Sequence, residues 1–135
     1  MRGDERSCWT CGGPALLLPQ ISASYDPAAN TWTELALDGE APPPRSTQGA
    51  AWDADGGRLL IMGGFAGGIE YLGDLWSYDA ATDNWSHLTS EGPGPTPRAS
   101  TSAAWDGARL LVFGGNGGSL LGELWSFRPP EDTAP

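Results

Sequence analysis

The sequence predicts an all-β chain built from tandem four-strand meanders, and three observations carry that prediction. The chain matches itself in register at a spacing of roughly fifty residues, a period typical of repeat architectures. Its Gly and Pro load, 20 and 12 in 135 residues, suits many short strands joined by tight turns and would interrupt helices. Between these punctuation marks lie short apolar runs and stretches that alternate polar with apolar residues, the two patterns of strands. With 39% hydrophobic residues and seven Trp, the chain carries enough apolar material for a packed core.

The self-match locates both the elements and the loops. Tyr25-Asp26 aligns with Tyr78-Asp79, Trp32 with Trp85, Arg45 with Arg98 and Trp52 with Trp105, all at one offset. The offset then shortens before Arg58-Leu59 meets Arg109-Leu110 and the doublet Gly63-Gly64 meets Gly114-Gly115. It shortens again before Leu75-Trp76 meets Leu124-Trp125. Length changes confined to two places mark two loops, because insertions are tolerated where backbone is exposed.

Each unit begins with a strand of small residues: Ser-Thr-Gln-Gly-Ala-Ala-Trp after Arg45 and Ala-Ser-Thr-Ser-Ala-Ala-Trp after Arg98. Such a strand fits where several sheets converge near the axis of a radial assembly. The second strand, Leu59-Leu60-Ile61-Met62 or Leu110-Leu111-Val112-Phe113, is a continuous apolar run expected to be buried on both faces. It ends in the Gly doublet, which permits positive φ and close backbone approach. The third strand, Asp74 to Tyr78 or Glu123 to Phe127, places Trp76 and Tyr78 on one face by its period of two. A turn follows from Asp26 to Thr31 and from Asp79 to Asn84, where Asp side chains bond nearby backbone. The fourth strand opens on Trp32 or Trp85.

This ordered set resembles the kelch repeat: a small first strand, an apolar run ending in Gly-Gly, a Tyr-Asp turn, and a Trp six residues after that Asp. The resemblance covers Tyr25 to Phe127, and it implies blades of a β-propeller. Pro42-Pro43-Pro44-Arg45-Ser46 and Pro95-Thr96-Pro97-Arg98 are similar to the Pro-Arg start of a kelch subclass in which His usually follows; Gln48 and Thr101 stand there, and Phe127 replaces the Tyr of the last repeat. On this reading a repeat region spans 21–128, with the end of one blade at 21–40, a full blade at 45–88 and a partial blade at 98–128. Residues 1–20 form an N-terminal segment in which Cys11-Gly12-Gly13 is the remnant of a preceding blade, and 129–135 a Pro-rich acidic tail. The count is about two to two and a half blades, and propellers close with about four to eight. Further blades or self-association are therefore expected.

Composition narrows the partner classes. The formal charge is −10 and all seven basic residues are Arg, so there is no basic stripe for nucleic acid. The same acidity disfavours an anionic membrane surface, and no apolar run approaches the length of a spanning helix. Ala15 to Leu18 is too short for a signal-peptide core, so the chain reads as soluble and cytoplasmic as written, while a longer parent could be exported. The resemblance implies a non-catalytic scaffold that binds a protein partner. The alternative is an arc of a galactose-oxidase-like or carbohydrate-binding propeller whose active centre lies elsewhere.

In a meander, the loop between second and third strands and the connection into the next blade leave the same edge of the sheet. Residues shared by the repeats serve architecture, and those that differ are better binding candidates. This rule selects Phe65, Ile69, Glu70 and Tyr71 in one loop and Asn116, Ser119 and Leu120 in the other, with Ile69 and Leu120 also able to tuck over their own blades. Arg45 and Arg98 lie at the same edge. Each could grip a ligand carboxylate, but their recurrence favours a structural pairing with Asp74 or Glu123, or a stack on Trp.

No catalytic set, cofactor site or metal site is expected. The one His, His87, sits two residues after Trp85 without a triad around it. Cys8-Trp9-Thr10-Cys11 supplies at most half a zinc site. Asp26, Asp79 and Asp83 are explained by turns. Asp53-Ala54-Asp55-Gly56 reads as a hairpin rather than a calcium loop, and Arg2-Gly3-Asp4 as a chance triplet.

Overall fold

The computed structural model describes residues 22–35, 40–67 and 70–130. The proposed N-terminal remnant, the Cys8/Cys11 pair and the Arg2-Gly3-Asp4 triplet lie outside the described residues. Among the described residues, nine strands form three antiparallel sheets of two, four and three strands. The first sheet pairs β1 (Ser22–Asp26) with β2 (Thr31–Leu35). The second has the order β3 (Gly49–Asp53), β4 (Arg58–Ala66), β5 (Glu70–Asp79), β6 (Asn84–Leu88). The third has the order β7 (Ser102–Trp105), β8 (Leu110–Asn116), β9 (Leu120–Phe127). Sequence neighbours are spatial neighbours throughout, so each sheet is a meander.

The turn chemistry works as the residue types dictate, with one difference. Asp26 Oδ1 accepts the Ala28 N–H at 3.0 Å and Asp79 Oδ1 the Ala81 N–H at 2.9 Å, closing Asx turns. Asp83 donates its backbone N–H to the Asp79 carbonyl at 2.8 Å, but its side chain takes no part in that bond. It takes up a left-handed φ of 57° and its carboxylate accepts the Tyr78 hydroxyl, as Asn30 (φ 56°) does for Tyr25. Burial, followed by the Asp83 bond and charge, pushes the Tyr78 phenol up to about 12. Across these turns Tyr25 tilts against Trp32 and Tyr78 against Trp85, with ring centroids 5.1 and 5.2 Å apart. At the hairpin of Asp53, burial raises the carboxyl, but bonds from the Gly56 N–H and the Arg58 guanidinium outweigh it and hold the group below its usual value.

The core lies between the second and third sheets. Ala51, Leu60 and Met62 of the second meet Leu110 and Val112 of the third, with Leu75, Leu88, Ala103, Trp105 and Phe127 around them. The two apolar runs fare differently. Leu60 to Met62 is buried, whereas Phe113 is 54% exposed, because no described sheet covers the outer face of β8. Arg58 reaches across from the second sheet to lie over the Trp105 ring, 5.9 Å from its centroid.

Backbone contacts fix the spacing of the two sheets, and glycine makes room for them. The Arg98 N–H donates to the Leu72 carbonyl at 3.0 Å, and the Arg98 carbonyl accepts the Gly64 N–H at 2.9 Å. A Cβ on Gly63, at φ 72°, would stand 2.5 Å from that same Arg98 oxygen. Nearer the first strands, the Ser100 N–H donates to the Thr47 carbonyl at 2.9 Å. Thr47 reaches this geometry at φ 56°, a costly region for a β-branched residue. Thr47→Asn should therefore raise stability by about 1 kcal/mol, read as a higher midpoint in urea. An unchanged or lower midpoint would mean that the threonine is not strained.

Candidate functional site

Two isolated bridges assemble the loop edge. Ser46 and Phe65 exchange backbone hydrogen bonds at 3.0 and 2.8 Å, and Ala99 and Asn116 do so at 2.9 and 2.8 Å. Each bridge ties the segment after an arginine to the tip of the β4–β5 or β8–β9 hairpin. The segments chosen for their variability thus stand side by side with the arms that lead into β3 and β7.

At the β4–β5 tip, Phe65 and Tyr71 are paired across the strands and their rings meet edge to face, 5.1 Å apart. Glu70 is exposed beside them, and no cation among the described residues pairs with it. Ile69 lies outside the described residues. At the β8–β9 tip, Asn116 Oδ1 accepts the Gly118 N–H at 2.9 Å and the Ser119 carbonyl accepts the Gly117 N–H at 3.2 Å. Asn116 and Ser119 thus shape their own turn. Leu120 does not tuck over its blade: it is 87% exposed.

Arg45 and Arg98 turn inward. Arg45 is 4% exposed and clasps both Asp74 oxygens, at 2.6 and 2.8 Å, while also donating to the Gly63 and Pro43 carbonyls at 3.0 and 3.2 Å. Trp76 adds its indole N–H to Asp74 Oδ2 at 2.8 Å. Burial raises the Asp74 carboxyl, but the bonds from Arg45 and Trp76 overcome it and hold the group below its usual value. Arg98 is fully buried, donating to the Gly114 carbonyl at 3.1 Å and to the Thr96 carbonyl and hydroxyl at 3.0 and 3.2 Å. It meets Glu123 Oε1 at 3.0 Å. With each guanidinium buried and clasped, neither arginine leaves an open face for a ligand carboxylate. The pairings with Asp74 and Glu123 hold the edge together instead.

The two repeats are not equivalent here. The extra methylene of Glu123 carries its carboxylate outward to half exposure, and it makes one contact with its arginine where Asp74 makes two. Trp125, the counterpart of Trp76, is left with its buried indole N–H unpartnered, as is Trp85. Trp125 lines a cleft of about 670 Å³ between the second and third sheets, together with Met62, Leu88, Val112 and Phe127. His87, on the outer strand, stacks on Trp76 with ring centroids 4.8 Å apart.

Neither the cleft nor the positive φ of Thr47 and Ser100 was signalled by the sequence. Both depend on how one sheet sits on the next. Among the described residues, no group of three or more His, Cys, Asp or Glu is placed to hold a metal ion, and no helix is long and apolar enough to cross a membrane.

Comparison with known proteins adds the lineage. The KLHDC2/KLHL20/DRC7 Kelch-repeats domain matches residues 17–134. The chain is 38% identical over 109 residues to a flagellar outer-arm dynein alpha chain of Chlamydomonas reinhardtii, covering 79% of this chain and 2% of that protein. It is 32% identical over 85 residues to dynein regulatory complex subunit 7 of the same alga, covering 63% and 7%. It is 35% identical over 114 residues to the serine/threonine-protein phosphatase BSL2 of Arabidopsis thaliana, covering 82% and 11%. The chain thus spans a small part of each of these relatives. With the meanders, the repeated Gly doublets and a domain match across most of the sequence in agreement, the chain belongs to the kelch-repeat family.

Proposed function

We propose that this chain is a non-catalytic scaffold that binds a protein partner through the loop edge formed by Phe65, Glu70, Tyr71 and Leu120. The observation that carries this reading is the asymmetry of that edge. The arginines shared by both repeats are buried in the frame, while the two hairpin tips present an aromatic pair with a carboxylate in one sheet and a bare leucine in the other. An exposed side chain in a rigid hairpin, anchored by backbone bridges, costs little ordering on association. The edge offers no free arginine, so the partner surface is expected to be apolar or basic rather than acidic. The blade boundaries at 45–88 and 98–128, inside a repeat region of 21–128, belong to the same proposal.

The test is an exchange of the β4–β5 tip for the shorter β8–β9 tip, together with Leu120→Ser. Both variants should unfold within about 0.5 kcal/mol of the parent, since the altered side chains make few contacts. Binding to a partner identified by crosslinking with the parent should fall at least about tenfold. Binding unchanged by both variants would remove the loop edge from consideration.

A further inference from the structure

Thr96 is the one Ser or Thr in the sequence that is followed directly by Pro. It lies in the connection from β6 to β7, whose residues 91–97 form neither helix nor strand and, Pro95 apart, are exposed. None of their backbone groups joins a backbone–backbone hydrogen bond among the described residues. The segment therefore has no ladder to open before another protein can hold it extended. Pro97 helps, since its ring fixes its own φ and disfavours helical geometry at Thr96.

Behind the Thr96 hydroxyl stands a buried cation. Arg98 Nη2 donates to Thr96 Oγ1 at 3.2 Å and meets Glu123 Oε1 at 3.0 Å. The Thr96 and Gly114 carbonyls hold its Nε and Nη1. Arg98 is fully buried and fixed, whereas Glu123 is half exposed, so its carboxylate can turn to water at little cost. The first repeat lacks this arrangement. Pro43 stands where the second repeat has Thr96, and Arg45 is already clasped by both Asp74 oxygens. The second repeat thus joins a hydroxyl to an arginine with one loosely held carboxylate.

We propose that Thr96 is a phosphorylation site and that Arg98 receives the phosphate. The donor is ATP, held by a serine/threonine kinase that selects a hydroxyl directly before Pro. Thr96 Oγ1 attacks the γ-phosphorus and its proton passes to the catalytic base of the kinase. The bond from that phosphorus to the oxygen bridging it to the β-phosphate breaks, and ADP leaves. The new group carries a charge of about −1.5 to −2 at neutral pH and three acceptor oxygens. It takes the place of Glu123 on Nη2, because a guanidinium grips a phosphate more strongly than one oxygen of a half-exposed carboxylate. Pro97 lies against both Gly73 and Gly117, so the modified residue is held beside the hairpins of both sheets. None of Phe65, Glu70, Tyr71 and Leu120 takes part, and the site stands or falls apart from the partner reading above.

Incubating the full chain with magnesium, ATP and a proline-directed serine/threonine kinase tests this, with the phosphate followed by mass spectrometry and phosphorus NMR. A single phosphate per chain is expected, at Thr96. Thr96→Ala, a change at an exposed side chain that leaves Arg98 its carbonyl partners, should abolish it. An unpaired phosphothreonine gives up its second proton near pH about 6. In the folded protein this midpoint should fall by about one unit, since Arg98 favours the dianion, and it should return in urea. No phosphate at Thr96, equal incorporation into Thr96→Ala, or a midpoint that is the same in buffer and in urea would each overturn the proposal.

Discussion

Asp74→Ala is expected to lower the unfolding free energy by about 3–5 kcal/mol, the cost of leaving a buried charge without its partner. The substitution strands the Arg45 guanidinium, of which only 4% is exposed, and removes the acceptor of the Trp76 indole N–H. Against a total stability of about 5–15 kcal/mol for a domain, this is a large fraction. Glu123→Ala also leaves a buried arginine, but Arg98 keeps its bonds to the Gly114 carbonyl and to the carbonyl and hydroxyl of Thr96 and loses one contact with a half-exposed carboxylate, so a smaller loss of about 1.5 kcal/mol is expected. Urea unfolding of the two variants side by side measures the contrast, and equal losses would contradict the assignment of the frame to the Arg45–Asp74 pair.

The same pair sets an acid limit. The folded pKa of Asp74 lies below its ordinary value of 3.8, and that of Asp53 does likewise. Each therefore contributes its full stabilisation above the unfolded value, and that contribution disappears as pH falls from there through the folded value. The urea midpoint should be level at neutral pH and drop in this acid window. Asp74→Ala should flatten part of the drop.

Gly63→Ala is the second large effect. The new methyl group would stand 2.5 Å from the Arg98 carbonyl oxygen at a backbone φ of 72°, so it both strains its own residue and pushes the two sheets apart. A loss of about 3 kcal/mol is expected from the left-handed strain and the overpacking together. Gly114 has nearly the same φ, 70°, but a Cβ there would meet only the Leu121 carbonyl oxygen, at an ordinary contact distance of 3.4 Å. Gly114→Ala should cost only about 1 kcal/mol, the backbone strain acting alone. Calorimetry or denaturant titration at low concentration separates the two. If both glycines proved equally sensitive, conformational strain rather than the neighbouring backbone would be their reason for being there.

These contrasts show why matched residues in the two repeats are not interchangeable. The doublets Gly63-Gly64 and Gly114-Gly115 are identical in sequence, and only the first has the Arg98 backbone of the next sheet against it. Met62 and Phe113 occupy the same place in the pattern and differ in burial because one faces another sheet and the other does not. Glu123 differs from Asp74 by one methylene, and that displacement is enough to leave the Trp125 N–H without an acceptor.

Strand order, the meander connection and the turn positions were legible in the residues because they are local properties. An apolar run ending in Gly-Gly, an Asp that can bond the backbone two residues on, and a Trp at constant spacing each act over a few positions. The two variable segments were legible as hairpin ends for the same reason, but the strands run further into them than the pattern indicated: Phe65 and Tyr71 pair across β4 and β5, and Leu120 opens β9. What the residues did not show was which side of each sheet is covered. The recurrence of Arg45 and Arg98 favoured a pairing with Asp74 or Glu123, but the depth of their burial and their bonds to hairpin carbonyls came only from the packed arrangement. Asp83 read as a backbone-bonding turn residue until the Tyr78 hydroxyl was brought to it. The cleft and the strained Thr47 both arise from the placement of one sheet against another. That placement depends on contacts between residues far apart in the chain, which a local pattern does not record.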